Sequence, residues 1–193
     1  MANSRVLKSK RDFRTLYGQF HGSGGTVSGA GVWASDAAGF TKTVLNFKNT
    51  PIVLADAAGV VAYGGLKIFD FPQGSIVIQG ATANLTVTKT STGVQATWNG
   101  DFGVGTVTAS NDATLSTTEQ NIIPTTPTPA AVAGVTSAKG RSTAAVTLDG
   151  TTTAVDAYIN FLVDDANHDV TTTPCNLILN GTVTILWANM GDY

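Results

Sequence analysis

The sequence predicts an all-β protein: an antiparallel β-sandwich or barrel with an extended basic N-terminal arm. Charged residues make up only 12% of the 193 residues, and thirty threonines stand against a single glutamate. Long solvated helices need glutamate and lysine on their outer faces, so this composition argues against a helical protein. From Phe40 onward, runs rich in Val, Ile, Thr, Phe and Trp alternate with turn signals about every 8–12 residues, which is the spacing of a sandwich or barrel.

Eleven of these short runs are the predicted strands. They are residues 41–48, 52–55, 66–71, 75–79, 85–90, 94–98, 103–109, 144–148, 157–163, 175–179 and 182–188. Residues 85–88 and 182–185 alternate threonine with an aliphatic side chain, which places one face of each strand in a core and the other toward water.

Glycine or asparagine between these runs supplies the positive φ that a tight hairpin turn requires. The predicted hairpin turns are 91–93, 99–101, 149–150 and 180–181. We therefore expect several hairpins, and an antiparallel arrangement in at least part of the sheet.

One segment departs from the period of a strand. Residues 112–123 place Leu115, Glu119 and Ile122 at helical spacing before a proline, so we expect one short helical turn. The proline-rich residues 124–129 are extended and do not fit a central strand, which makes them a crossing between sheets or a linker. A linker would leave only about 70 residues beyond it, a marginal core, and this favours one shared sandwich.

The N-terminal arm is the most basic part of the chain. Residues 1–14 carry five cations against one aspartate, whereas the rest of the chain has six basic and twelve acidic groups. Glycine-rich residues 21–31 follow the arm. We therefore divide the chain into an extended arm with its Gly-rich segment, residues 1–39, and a β-sandwich domain, residues 40–193.

The arm is the candidate contact site for an acidic partner surface or a neighbouring subunit. Cations on an extended chain gain most when they are desolvated against carboxylates, and aromatic side chains beside them can act as anchors. The candidate contact residues are Arg5, Lys8, Lys10, Arg11, Phe13, Arg14 and Tyr17. The alternatives are a solvated terminus and a modest, salt-sensitive affinity for DNA.

The chain as a whole gives little attraction for nucleic acid or an anionic membrane, because its net charge is −2 and its pI is about 5.5. The single cysteine, Cys175, cannot form an internal disulfide, so we expect the chain to fold in a reducing cytoplasm. The first twenty residues lack the apolar run of a signal peptide, and there is no run of 18 apolar residues. We expect a soluble protein without an export signal.

No motif in the sequence indicates an active site or a metal site. Residues 165–170 begin like a calcium loop, but a valine replaces the required glycine and the bidentate glutamate is missing. His168 and Cys175 are too few ligands for zinc, and we expect a surface histidine and a buried thiol. Residues 29–34 match a dinucleotide fingerprint only by letters, and 101–103 match a kinase triplet without the other kinase parts.

Five blocks of the chain carry a family resemblance. They are 113–124 (ATLSTTEQNIIP), 131–135 (AVAGV), 148–151 (LDGT), 157–165 (AYINFLVDD) and 181–193 (GTVTILWANMGDY). Together they resemble a family of tailed-bacteriophage structural proteins, the capsid-decorating or cement proteins, over roughly residues 40–193. The resemblance implies a jelly-roll fold and a homotrimer on the outside of an icosahedral head, in contact with several copies of the major capsid protein. It implies no catalytic, cofactor-binding or metal-binding residues.

We therefore predict a structural virion protein, not an enzyme, with a jelly-roll-like β-sandwich. It would be made in the host cytoplasm and would stabilise the capsid exterior by bridging major capsid protein subunits, without nucleic acid, membrane or cofactor. Few charges and a mean hydropathy of +0.13 suit extensive subunit contacts. The alternative is a phage fibre or carbohydrate-binding β-sandwich module, with Trp33, Trp98 or Trp187 as a platform for sugars.

Overall fold

Ten β-strands and a 3₁₀ turn at Thr117–Glu119 make up the regular structure in the computed structural model, which describes residues 32–37, 40–56, 61–110, 112–164, 167 and 175–191. The strands are β1 (Val32–Ala37), β2 (Phe40–Asp56), β3 (Ala62–Asp70), β4 (Gly74–Lys89), β5 (Gly100–Gly105), β6 (Ile123–Thr128), β7 (Val135–Arg141), β8 (Val146–Gly150), β9 (Asp156–Val163) and β10 (Cys175–Asn189). No described helix is long and apolar enough to cross a membrane.

Antiparallel pairing joins the strands into one sheet that folds over into two layers. One layer has the order β2-β10-β4-β7, with β1 beside β2 and β8 beside β4, and the other has the order β3-β9-β5-β6. Strand β2 belongs to both layers, because residues 41–54 pair with β10 and residues 55–56 pair with β3. Strands β6 and β7 lie side by side at the remaining seam, so the sheet is nearly closed into a barrel-like sandwich.

The strand pairing is nested. Apart from β1 and β8, the first strand pairs with the last (β2 with β10), the second with the last but one (β3 with β9), β4 with β7, and β5 with β6. Strands from both sides of residue 125 therefore alternate within each layer. Both parts of the chain contribute to one core.

The core between the layers is built from inward-facing side chains with large aromatic groups at its centre. The ring of Phe71 packs edge-on against Phe69 and Trp187, with centroids 4.9 and 5.3 Å away. The indole Nε1 of Trp187 donates a hydrogen bond of 2.9 Å to Thr43 Oγ1, so the polar atom of this buried ring is satisfied.

Residues 106–122, of which 111 lies outside the described part, cover the outer face of the β3-β9-β5 layer. Ala109 and Leu115 pack with Leu162 of β9 in a small second cluster. Beside them, Asn160 of β9 accepts a hydrogen bond from Ala109 N at 2.8 Å. One layer is thus covered on both faces, whereas the outer face of the β2-β10-β4-β7 layer carries no such segment among the described residues.

The all-β class and the antiparallel arrangement are confirmed, but several predicted strands are parts of longer ones. Strand β2 joins the predicted runs 41–48 and 52–55, β4 joins 75–79 and 85–90, and β10 joins 175–179 and 182–188. The predicted hairpin turn at 180–181 is therefore wrong. Gly181 does have a positive φ of 118°, but it lies inside β10, next to a bulge in β2 where Lys48 and Asn49 stand opposite Asn180. There Asn180 Oδ1 accepts a hydrogen bond from Asn49 N at 2.8 Å.

The other three predicted hairpin turns are also wrong as hairpins. Residues 91–93 do form a turn, but the strands on its two sides belong to different layers. Residues 149–150 are the last two of β8, which pairs with β4 and not with β9, and 100–101 are the first two of β5, which follows residues that are not a strand. The consecutive strands that do pair with each other are β1 with β2, β2 with β3, and β5 with β6.

Three other segments differ from prediction. Residues 94–98 form turns and one isolated bridge residue instead of a strand, and the predicted strand 103–109 ends at Gly105. The proline-rich residues 124–129 are mostly strand β6, neither a crossing nor a linker, and β6 is an edge strand, where proline is tolerated. The expected helical turn within 112–123 is confirmed as the 3₁₀ turn.

The predicted arm contacts lie outside the described residues. This holds for Arg5, Lys8, Lys10, Arg11, Phe13, Arg14 and Tyr17. Within the predicted segment 1–39, Val32–Ala37 forms strand β1 and pairs with β2 in register from Val32 with Leu45 to Ala37 with Phe40. Regular structure in the described chain therefore begins before the expected boundary at residue 40.

Candidate binding face

The outer face of the β2-β10-β4-β7 layer is the candidate functional surface. We call it the threonine face and define it as the outward side chains of residues 42–53, 80–88, 135–141 and 176–186. Alternate side chains along each strand point away from the core, and the registers align them in rows across the four strands. One such row is Val44, Thr184, Thr82 and Arg141.

The threonine face is positively charged. Its cations are Lys42, Lys48, Lys139 and Arg141, all exposed, and the four segments contain no aspartate or glutamate. The ion pairs among the described residues are made by Lys67 on the other layer. A chain with net charge −2 thus carries four cations on one face, without a carboxylate partner among the described residues.

The threonine face has about three quarters of the area that a standard protein interface takes from each partner, which is the size of a small interface. Four strands spaced about 4.8 Å apart, over some nine residues, cover about 19 by 30 Å, or on the order of 600 Å². A standard protein interface takes about 800 Å² from each partner. Exposed apolar side chains are interspersed with the polar ones: Val53, Val135 and Leu186 are 72, 40 and 38% exposed.

Two adjoining depressions mark one end of the threonine face. The first, of about 400 Å³, lies over Gly80. Its polar and charged lining side chains are Lys42, Thr82, Arg141, Ser142 and Thr184. The second, of about 590 Å³, shares Thr82 and Arg141 with the first and continues past Lys139 to β6 at the seam of the sheet. Together they form a shallow groove with cations along it.

Local backbone geometry produces the depression over Gly80. The register of β10 with β4 shifts between Leu186 and Trp187, so Gln79 is an extra residue on β4, and Gly80 follows it without a side chain. Across from it, Ser142 and Ala81 are tied by two 2.9 Å hydrogen bonds: Ala81 N donates to Ser142 Oγ, and Ser142 N donates to Ala81 O. The end of β7 is therefore held beside the depression.

A second polar cluster is an ion triad on the other layer. Lys67 Nζ pairs with Asp70 and, at 3.0 Å, with Asp156, the two carboxylates that face each other across β3 and β9. Lys67 donates hydrogen bonds to Asp70 and Asp156, and these raise its pKa. Burial is the largest single influence on Asp156 and would raise its pKa, but the hydrogen bond from Lys67, further side-chain hydrogen bonds and the charge of Lys67 together outweigh it, so the pKa is lowered. One cation thus bridges two carboxylates, and this pairing ties β3 to β9.

A third cluster surrounds the only glutamate. Glu119 is 2% exposed, and its two carboxylate oxygens accept hydrogen bonds of 2.6 Å from the backbone N–H groups of Ser110 and Ser116. Burial would raise its pKa, but the hydrogen bonds from Ser116 and Ser110 outweigh it and hold the pKa below the ordinary value. A carboxylate so occupied by backbone donors has a structural role.

The fourth cluster lies where β9 leaves the sheet. Asn99 Nδ2 donates to Asp164, and Asn167 Nδ2 donates to Asn99 Oδ1 at 2.7 Å. Burial, with the charge of Asp164 as a second cause, raises the pKa of Asp101. In the described part of the chain, no three His, Cys, Asp or Glu side chains come together as metal ligands.

The remaining candidate residues from the sequence have the following places. Cys175 is buried, as expected, whereas His168 lies outside the described residues. Trp98 and Trp187 are fully buried in the core, so the carbohydrate alternative is wrong for these two as stacking platforms. The side chain of Trp33 in β1 lies outside what is described. The triplet 101–103 forms part of β5, not a catalytic loop.

The cations of the threonine face are not among the residues predicted from the sequence, although their spacing carries a signal. Lys42 and Lys48 are six residues apart and Lys139 and Arg141 are two apart, and an even spacing places both members of a pair on the same side of a strand. Because β7 is not among the predicted strands, the spacing of Lys139 and Arg141 could not be assigned to one side of a strand. Only the strand order brings the two pairs to one face.

No protein-family model, curated protein or solved structure matches the chain.

Proposed function

We propose that the protein is a structural virion protein that decorates and stabilises a bacteriophage capsid. In this proposal it sits on the head exterior as a homotrimer and bridges major capsid protein subunits. The observation that carries the proposal is the threonine face. It is broad, contains no aspartate or glutamate, and is not covered by any segment of the described chain, whereas residues 106–122 cover the other layer of the sandwich. The resemblance of residues 40–193 to capsid-decorating proteins supports the same function.

The strand order supports the jelly-roll part of this proposal. A jelly roll is a two-layer β-sandwich of eight strands built from two Greek keys. The eight strands other than β1 and β8 pair first with last, second with last but one, and so inward, which is the order of a long hairpin wrapped into two layers. Strands β1 and β8 extend the layer that carries the threonine face.

The proposed trimer explains how a face of modest size can hold a protein on a shell. Three copies linked together bind with a high effective concentration, so each contact can be weak. A homotrimer also needs two different surfaces that fit each other, because rotation about a three-fold axis brings unlike patches together. The basic arm is the proposed second element, contacting the shell or a neighbouring protomer through Arg5, Lys8, Lys10, Arg11, Phe13, Arg14 and Tyr17.

The proposal is tested by mixing the purified chain with heads of the phage that encodes it, produced without this protein. Light scattering after size-exclusion chromatography gives the mass of the free protein, and cryo-electron microscopy of the mixture gives its place on the shell. We expect a trimer and density at three-fold and quasi-three-fold positions. A monomer that does not sediment with the heads contradicts the proposal.

A second variant separates the arm from the sandwich. Deleting residues 1–16 removes all five arm cations and leaves the described strands intact. We expect the truncated protein to keep its trimer and its melting temperature but to leave the heads at lower salt. Unchanged occupancy on the heads contradicts the role of the arm while the decoration function stands.

A further inference from the structure

We propose that the Gly80 depression is an anchor site for a carboxylate side chain of the protein that docks on the threonine face. This inference rests on the proposed function, because it takes the shell protein as the partner. It specifies which face of the protein contacts the shell and which chemical group of the shell protein is bound. The occupant is an acidic protein surface, with one aspartate or glutamate seated over Gly80 between Lys42 and Arg141.

The lining of the depression fits a carboxylate. Lys42 approaches from β2 and Arg141 from the end of β7, so the two cations flank the floor from opposite sides. A guanidinium can bind both oxygens of a carboxylate, and an ammonium can pair with either one. The hydroxyls of Thr82, Thr184 and Ser142 line the same space. A carboxylate accepts about four hydrogen bonds, and this lining has enough donors for all of them.

The Ser142 hydroxyl is oriented for such a ligand. Its oxygen accepts a hydrogen bond of 2.9 Å from Ala81 N. The hydroxyl proton is thus directed away from the strand and can be donated. Because the same residue also donates its backbone N–H to Ala81 O, its position does not depend on the ligand.

Charge argues against a symmetric contact between two copies of this face. Such a contact would bring four cations against four cations, and like charges that face each other across an interface repel. Acidic groups of a partner could instead pair with these cations, because residues 42–53, 80–88, 135–141 and 176–186 contain no aspartate or glutamate that would compete for them. The face therefore selects a partner surface of opposite charge.

The surroundings of the depression favour a protein over a nucleic acid or an acidic glycan. The face extends well beyond the cations, with Val53 and Val135 exposed at its other end. Apolar side chains mixed with hydroxyl and amide groups are typical of protein interfaces. A nucleic acid would be held mainly by phosphate contacts along a basic stripe, and such binding would not need the depression.

Two variants separate the shape of the depression from its charge. Gly80→Leu fills the space and leaves every charge in place; a Cβ at this position meets only Ser142 Oγ, at 3.6 Å. The double variant K42Q/R141Q removes the charges and leaves the space open. The matched controls lie outside the threonine face: Thr114→Leu in the segment that covers the other layer, and Lys89→Gln at the end of β4. Melting curves establish that all four are folded.

Binding is measured with the full chain on two probes, phage heads and immobilised poly-L-glutamate. We expect both depression variants to bind at least about tenfold more weakly to either probe, and the controls to stay within about threefold. Binding of Gly80→Leu and K42Q/R141Q at the strength of the unmodified protein overturns the inference. If heads are then still occupied, the decoration function survives; if heads are never bound but poly-L-glutamate shows the expected pattern, the decoration function alone fails.

Two further measurements exclude other sources of binding. Neutralising the arm with Arg5→Gln, Lys8→Gln and Arg11→Gln must leave the sensitivity to Gly80→Leu intact. If the arm variant loses binding to poly-L-glutamate while Gly80→Leu and K42Q/R141Q keep it, the inference is overturned. Heparin and duplex DNA serve as the remaining probes. If Gly80→Leu weakens heparin or DNA binding but not poly-L-glutamate binding, the carboxylate assignment is wrong.

Discussion

Asn160 donates a hydrogen bond of 2.7 Å from Nδ2 to the backbone oxygen of Glu119, joining the central strand β9 to the segment that covers it. The same amide donates to Val107 O at 2.9 Å and accepts from Ala109 N at 2.8 Å. The Glu119 carboxylate in turn holds two backbone N–H groups of this segment. Two polar side chains thus form the hydrogen bonds with the backbone of this irregular segment that a neighbouring strand would form with a regular strand.

Asn160→Ala should lower the free energy of unfolding by on the order of 3 kcal/mol. The substitution leaves two buried carbonyls and one buried N–H group unpaired, and each unsatisfied group costs about 1–3 kcal/mol. Urea denaturation measures the change. Asn84→Ala, on the exposed threonine face, is the control and should change stability by less than about 0.5 kcal/mol. Equal effects at the two positions would show that the covering segment is not held by this amide.

Much of the sheet could be predicted because its strands alternate polar and apolar residues. Residues 85–88 and 182–185 have this pattern, and both lie in strands with one buried face. The turn signal at 180–181 was misleading because a glycine at positive φ can lie inside a long strand as well as in a tight turn. Gly181 meets that need next to the Asn84 backbone of the neighbouring strand, a contact that the local sequence does not contain.

Glu119→Gln should flatten the acid end of the stability curve. The pKa of Glu119 is lowered by folding, so its carboxylate contributes stability that is fully present above its ordinary pKa of 4.5 and is lost as the pH falls through the lower folded value. The stability difference between the unmodified protein and the variant should therefore be constant near pH 7 and shrink below about pH 4.5. Denaturation midpoints at several pH values measure it.

The comparison with Glu119→Gln is needed because other carboxylates act in the same direction. The hydroxyl and then the backbone N–H of Thr151 lower the pKa of Asp149, and the pKa of Asp156 is also lowered. The unmodified protein thus loses stability in acid for several reasons. A stability difference that stays constant from pH 7 to pH 3 would mean that folding does not lower the pKa of Glu119.

Two glycines in strands should respond oppositely to alanine. A Cβ on Gly105 would collide with the backbone of Thr118 and Glu119, which cannot move without displacing the 3₁₀ turn, so Gly105→Ala should cost at least about 2 kcal/mol. Gly80 has open space and an ordinary φ, and Gly80→Ala should add about 0.4–1 kcal/mol by restricting the unfolded chain. Thermal melts of both variants measure the contrast. A loss of stability in Gly80→Ala would mean that the depression is not open.

The core could be predicted from the sequence less completely than the strands. Trp98 was assigned to a strand because β-formers surround it, yet it lies in a turn region, where its indole Nε1 donates to Gly134 O at 3.2 Å. Its burial depends on residues 36 positions away. The threonine face was missed for a related reason: strand order, which is a long-range property, brings its cations together.

Thr43→Val should destabilise the core although it preserves the size of the side chain. Thr43 is 1% exposed and accepts the hydrogen bond from Trp187, so valine leaves a buried indole N–H unpaired at a cost of about 1–3 kcal/mol. Trp187→Phe removes that donor at the cost of some packing. In the double variant the indole N–H group is absent, so no buried donor is left unpaired. The decrease in its free energy of unfolding should therefore be smaller than the sum of the two single decreases by about 1 kcal/mol. Urea denaturation of the four proteins measures this coupling. Thr86→Val on the exposed face is the control, and additive losses would show that the hydrogen bond contributes nothing to stability.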